Sequence, residues 1–206
     1  FEIEGRNLIS ATPFARTDEK WSPRFGLIVK PTPALSLYAS YSRSFLPRAG
    51  DQFISLDATT QNLAPEKFTN YEIGAKWDVR PGLALTAALF QLDRTNTTTP
   101  DPANPTLTIL AGSTRTRGAE LGLAGKVTSR WQVSGVYTWH DGHLKGDDTI
   151  RTAQVPRHQF ALWNRYDFNR TAGLGLGVIH QSSQWAALHN PGVSTATRLP
   201  AFTRLD

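Results

Sequence analysis

His140-Asp141-Gly142-His143 places two imidazoles and a carboxylate within one short stretch. Such donors suit Zn²⁺ or a similar ion. A closed site needs about four ligands, and no further donor stands at a telling spacing. The stretch therefore reads as solvated residues opening a long loop. Asp147 and Asp148 follow without the spacing of an EF-hand. Glu66 and Glu72 share a parity, but nothing sets one as acid and the other as base. No Gly-x-Ser-x-Gly occurs, and no Ser–His–acid order can be defended. Gly173-Leu-Gly-Leu-Gly177 has period two with no helix behind it, unlike a dinucleotide fingerprint. Asn96-Thr-Thr and Asn169-Arg-Thr match the N-glycosylation acceptor pattern but are not expected to be used. The absence of Cys removes thiolate sites and disulfides. These residues predict neither catalysis nor a protein-bound metal.

The elements that would position any site are strands. In Asn70–Val79, Tyr71, Ile73, Ala75, Trp77 and Val79 alternate with Asn70, Glu72, Gly74, Lys76 and Asp78. Period two with one apolar and one polar face predicts a strand between two unlike surroundings. The same alternation places Phe25, Leu27 and Val29 on one face, and Leu35, Leu37, Ala39 and Tyr41 on another. Ala119, Leu121 and Leu123 oppose Glu120, Gly122 and Ala124. Trp131, Val133, Gly135, Tyr137 and Trp139 oppose Gln132, Ser134, Val136, Thr138 and His140. Leu174, Leu176 and Val178 oppose three glycines, which fit either an inner wall packed against something or relief of curvature. Leu83–Leu92 and Phe160–Phe168 are apolar on both sides, so alternation does not orient them.

Four short turn signals stand at Lys30–Ala34, Asp78–Gly82, Lys126–Arg130 and Asp167–Gly173. Long polar segments, Ser44–Pro65, Arg94–Pro105, Asp141–Pro156 and Ser182–Pro200, lie between and after them. Short turns on one edge and long loops on the other are the asymmetry of an antiparallel transmembrane barrel. No apolar run approaches the roughly 20 residues of a membrane helix. Mean hydropathy is −0.35, which alternating barrel strands produce by averaging. The net charge of +5 is spread along the chain, without a basic helical face or nucleic-acid motif, so no nucleic-acid partner is expected.

Tyr41, Tyr71, Trp77, Trp131 and Tyr137 are candidates for interfacial aromatics on a lipid-facing wall. The alternative is the core of a soluble β-sandwich. Register favours lipid: slipping Asn70–Val79 by one residue would turn Glu72 and Lys76 outward. A Lys at mid-bilayer costs about 2–4 kcal/mol.

Leu63-Ala-Pro-Glu-Lys-Phe-Thr-Asn-Tyr-Glu-Ile-Gly-Ala-Lys-Trp-Asp78 resembles the "L-x-P-E…Y-E-x-G-x-K" segment of TonB-dependent siderophore receptors. Ser22–Pro31, Ser36–Phe45 and Arg117–Gly122 resemble other barrel segments of that family, in the expected order. Leu199–Asp206 resembles the opening of its final strands. Val155-Pro-Arg-His158 and the Trp131–Trp139 strand are most similar to receptors for monomeric catecholate siderophores. The resemblance implies an all-β antiparallel meander, a partial segment of a roughly 22-stranded transmembrane outer-membrane β-barrel. Residues 1–206 would be roughly eight or nine of its strands, with the plug domain, early strands and last strands absent. Ile3-Glu-Gly-Arg6 also matches a factor Xa site, but reads better as part of a native strand tail at Phe1–Ile9.

The implied function is import of a ferric siderophore across the bacterial outer membrane with energy from TonB, which would be engaged through the absent N-terminal region. Other readings are a passive channel, an outer-membrane enzyme or a soluble binding module. The implied partners are the ferric siderophore, the TonB complex and outer-membrane lipid. Iron would travel with the ligand, so no cofactor is expected. On the loop edge, Arg43, Phe45, Phe53, Trp139, His140, Gln181 and Trp185 are candidates for holding an anionic chelate through charge and ring stacking.

Overall fold

The computed structural model describes residues 2–6, 13–47, 63–100, 108–191 and 196–206. All the regular structure among them is strand. A small hairpin pairs β1 (Glu2–Arg6) with β2 (Pro13–Thr17). The large sheet contains β3 (Arg24–Thr32), β4 (Leu35–Leu46), β5 (Glu66–Arg80), β6 (Leu83–Pro100), β7 (Thr108–Lys126), β8 (Trp131–Leu144), β10 (His158–Asp167), β11 (Gly173–Gln181) and β14 (Phe202–Leu205). They pair antiparallel in the order β14-β11-β10-β8-β7-β6-β5-β4-β3. Between them, β9 (Asp147–Arg151) folds back on β8, and β12 (Gln184–Trp185) pairs with β13 (Arg198–Leu199). Each strand of the main path pairs with its neighbours in sequence, so the wall is an up-and-down meander.

All four short reversals stand where turn residues predict them. Pro33-Ala34 joins β3 to β4, and Pro81-Gly82 joins β5 to β6. Gly82 has φ 81°, a left-handed conformation that glycine adopts at little cost. Thr128 Oγ1 accepts from the Arg130 and Trp131 amides in the β7–β8 turn. Asn169 Oδ1 accepts from the Thr171 and Ala172 amides in the β10–β11 turn.

The opposite edge differs from the sequence expectation. Arg94–Pro105 is not a loop from its start: β6 runs to Pro100 and pairs with β7 from Thr108. Asn96, at φ 60°, and Gly112, at φ 104°, lie where that register shifts. Asp141–Pro156 likewise begins as strand, with β9 pairing back onto β8. Thr, Asn and Asp, read as loop formers, pair readily when a neighbouring strand is extended enough to receive them.

The ladders fix both faces. Leu27, Ala39, Ile73, Leu89, Ala119 and Trp139 form one cross-strand row. The next row is Val29, Leu37, Ala75, Ala87, Leu121, Tyr137 and Phe160. This apolar face is the outer one. Ile73 and Leu89 are each 57% exposed on it, and Leu121 56%. No second sheet covers it among the described residues, and Val133 and Ile150 alone are buried apolar side chains there. The structure is a wall one sheet thick. The two segments that alternation left open are now oriented: Leu85, Ala87 and Leu89 face out with Phe160, Leu162 and Tyr166. Thr86, Ala88, Phe90, Ala161, Trp163 and Arg165 face in.

Bulky inner side chains lie over neighbouring glycines. A Cβ on Gly177 would sit 2.5 Å from the Trp163 ring, and one on Gly118 2.3 Å from the Phe90 ring. The glycine face of β11 is thus occupied by an indole from β10 within the wall itself, a third arrangement beside the two the sequence left open.

Candidate functional site: the long-loop edge

Above the apolar rows, the outer face turns polar. Phe25, Tyr41 and Tyr71 form an aromatic column, with ring centroids 6.2 and 5.2 Å apart. Tyr137 lies two rows further in, in the row of Leu37 and Leu121, and its hydroxyl meets His158 Nδ1 at 2.8 Å. Trp77 and Trp131 stand toward the short-turn edge, where Trp131 Nε1 donates to Asn164 Oδ1 at 3.2 Å. From Trp131 to Trp139 is about 26 Å along the strand, or about 20 Å after a tilt near 40°. That lies slightly inside the roughly 25 Å apolar band of a membrane barrel.

Beyond this belt, ion pairs hold the strand ends. Asp93 accepts from Arg115 Nε and Nη2, both at 2.6 Å, and lies 3.5 Å from Lys145. The Arg115 hydrogen bonds hold the Asp93 carboxyl below its ordinary range, against the opposing effect of burial. Asp141 accepts from Arg151 and, at 3.4 Å, from Arg157. Burial alone would raise the Asp141 pKa, but these two guanidinium groups outweigh it and the pKa falls. His143 is buried beside them, with Nε2 3.0 Å from Asp148. Asp147 accepts from the Thr149 amide and hydroxyl. The expectation of solvated loop residues here is corrected: the strand continues, so His140 and His143 fall on opposite faces. They cannot share one ion, and no group of three or more metal-ligating side chains occurs among the described residues.

On the inner side of the same edge, Glu66 accepts from Arg94 at 2.8 and 2.7 Å, and Arg94 stands 5.2 Å over the Phe68 ring. His140 meets Phe90 edge to face at 5.8 Å. Its amide donates to Arg157 O, and its Nδ1 stands 3.2 Å from Pro156 O. At the other end of the 152–157 segment, the Gln154 amide donates to Trp185 O. Trp185 stacks on His189 at 3.6 Å and 9°, with Arg198 5.9 Å over the indole. Arg151 and His189 exchange backbone hydrogen bonds. Among the described residues, the buried atoms Thr152 Oγ1 and His189 Nδ1 of this unit lack hydrogen-bond partners, as does His143 Nδ1 on the outer face. Buried polar groups of that kind are uncommon and concentrate where water or ligand is handled.

Of the sequence candidates, the structure gathers His140, Gln181 and Trp185 into this sector, with Gln159 Nε2 donating to Gln181 Oε1. Trp139 is separated from His140 by strand parity and faces out with Leu89. Arg43 and Phe45 share the outer face of Tyr41. Phe53 lies outside the described residues. Arg94 was missed because Arg94–Pro105 reads as a loop, and Phe68 because the alternation on β5 was read only from Asn70 onward. His189, Arg198, Arg151 and Arg157 were missed because loop residues carry no period.

The unit offers stacked rings and guanidinium groups, suited to a planar anion. Nothing in it activates a nucleophile. A family model described as TonB dependent receptor-like, beta-barrel matches residues 2–206. The probable TonB-dependent receptor BfrD of Bordetella pertussis is 34% identical over all of this chain and 30% of its own length. The catecholate siderophore receptor Fiu of Escherichia coli K12 is 30% identical over 82% of this chain and 23% of its own. The crystal structure of the siderophore receptor PiuA from Acinetobacter baumannii superposes with a TM-score of 0.73 at 27% identity, covering 94% of this chain and 29% of that one. The chain thus spans about a third or less of these relatives. It belongs to the β-barrel family of TonB-dependent receptors, which reside in the bacterial outer membrane and are not enzymes.

Proposed function

We propose that the receptor containing this wall imports a ferric siderophore across the outer membrane with energy from TonB. The carrying observation is the Trp185–His189 stack capped by Arg198, tied through residues 152–157 to His140 at the rim of the inner face. A ferric catecholate is anionic and presents aromatic edges. Rings and guanidinium groups bind it through stacking and charge, each contact worth about 0.5–2 kcal/mol. Relatives named as siderophore receptors support this reading. Iron is cargo, bound by the chelator and not by the protein. Tyr41, Tyr71, Trp77 and Trp131 would anchor the wall at the two interfaces, whereas Tyr137, expected among them, lies directly opposite Leu121 within the apolar band.

A second reading concerns the metal. The metal-pseudopaline receptor CntO of Pseudomonas aeruginosa is 31% identical over 95% of this chain. A chelate of another transition metal would use the same rings and cations.

The test is growth of a receptor-deletion strain carrying the full gene, on a panel of ferric catecholates, hydroxamates and non-ferric metallophores. Growth on a ferric catecholate, lost on deletion of TonB, is expected. Uptake that persists without TonB would refute energy coupling. Uptake confined to a non-ferric chelate would select the second reading.

A further inference from the structure

Arg43, placed by strand parity on the outer face, meets two more cations there. Lys20, Arg43 and Lys67 line one cavity of about 130 Å³ with Trp21, Ser44 and Phe45. No side chain of these three cations has a hydrogen-bond or ion-pair partner among the described residues. The neighbouring acids are committed elsewhere or turned away. Glu66 faces inward and holds Arg94, and Asp93 holds Arg115 and Lys145. Asp18 is buried and has a partner of its own. Glu19, beside Lys20, is exposed and does not line the cavity.

The cleft lies just past the aromatic column. Arg43 is two residues beyond Tyr41, about 7 Å along β4. Below the column the outer face is hydrocarbon: Leu27 is 65% exposed, Leu37 42% and Ile73 57%. Trp21, 93% exposed, stands at the mouth. A ligand fitting both parts has a compact anion at one end and acyl chains at the other. We propose that Lys20, Arg43 and Lys67 seat the phosphate of a lipid headgroup in the leaflet on the long-loop side. This rests on the membrane reading of the outer face, not on the identity of the imported chelate.

The experiment uses the full-length receptor, folded in neutral detergent, with the triple variant K20Q/R43Q/K67Q. Folding of both is checked by the shift in gel mobility on heating. Binding of diphosphorylated lipid A, its dephosphorylated form and inorganic phosphate is measured by native mass spectrometry and thermal shift. Three cations, each contributing the usual increment at a charged membrane surface, predict on the order of a hundredfold weaker binding of diphosphorylated lipid A by the variant. Added salt should weaken the wild type and leave the variant little changed. Equal retention by both proteins would overturn the proposal. So would equal binding of the dephosphorylated lipid, which would leave chain contacts alone, or inorganic phosphate binding as tightly as the lipid, which would make this a free-anion site. Chelate uptake is read in the same cells. Loss of uptake with lipid binding intact would return Arg43 to the chelate and equally overturn the assignment.

Discussion

Leu121 stands where a charge should do the most harm. On β7 it lies four residues from Arg117, a charge on the same face, and five from Lys126, where the strand ends at the short turn. At about 3.3 Å per residue these are about 13 and 16 Å along the strand. A tilt near 40° reduces them to about 10 and 13 Å along the membrane normal. Leu121 therefore sits close to the midplane of a band about 25 Å tall, and it is 56% exposed with no described side chain able to cover it. Arg at this depth costs about 2–4 kcal/mol, roughly a 30- to 700-fold loss in the folding equilibrium. Ala119 lies two residues nearer the loop edge, about 5 Å along the normal, where the same substitution should cost an intermediate amount, about 1–2 kcal/mol. Ser134 faces inward, so Ser134→Arg should stay close to wild type.

The assay is urea-dependent folding of the full-length receptor in lipid vesicles, read by gel mobility and tryptophan fluorescence. The expected order of stability is Leu121→Arg lowest, Ala119→Arg between, and Ser134→Arg close to wild type. Equal costs at Leu121 and Ala119 would refute the depth argument. An equal cost at Ser134 would refute the division into lipid-facing and inner positions, because the penalty would then follow the substitution and not its solvent.

Three further outcomes follow from particular contacts. Gly118→Ala should cost more than Gly175→Ala, because its Cβ meets both the Phe90 ring and Trp139 O at 2.7 Å, whereas at Gly175 the Trp163 ring is 3.0 Å away; overpacking of this kind costs about 1–3 kcal/mol, and denaturant midpoints that match would refute the steric account. Asp141→Asn should free Arg151 and Arg157 and loosen the β8–β9 hairpin by about 1–3 kcal/mol; faster hydrogen exchange over 147–157 is expected, and unchanged exchange would show the pairs to be ornamental. Asp93 and Asp141, both beyond the aromatic belt, have folded pKa values below the ordinary 3.8, so their contribution is fully present above about pH 4 and is lost as pH falls through the depressed values; protease resistance of the loop edge should hold from pH 7 to 5 and decline only below pH 4, and a decline between pH 7 and 5 would assign the effect to histidine instead.

The wall was legible in the sequence because a membrane barrel sets unlike surroundings on its two sides, and period two records the difference. Asn70–Val79 showed its faces in full. Leu83–Leu92 did not, since Ala88, Phe90 and Leu92 face inward yet are apolar. Phe90 covers Gly118 and meets His140, so packing within the inner wall replaced polarity there. The loop edge was harder to read. Asp141 and its two arginines are separated by β9 and a turn, and only the fold brings them together. Trp185 was visible as an aromatic in a polar segment, but its partners His189 and Arg198 are defined by the path of the loop between β12 and β13.

Parity on a wall one sheet thick does more than orient side chains: it assigns adjacent residues to different partners. Trp139 and His140 are neighbours in sequence, yet one faces the lipid side and the other the Phe90 ring on the inner side. Arg43 and Ser44 divide in the same way, and so do Glu66 and Lys67. A cation at the loop edge is thus not a chelate ligand because of its type or its height on the barrel. It must also have the parity of Asn70, Glu72 and His140. Arg94 has that parity, with Glu66 fixing its guanidinium over Phe68, whereas Arg43 has the parity of Tyr41 and Ile73. Two arginines of similar height therefore have different surroundings: Arg94 faces the inner side with Glu66 and Phe68, and Arg43 faces the outer side.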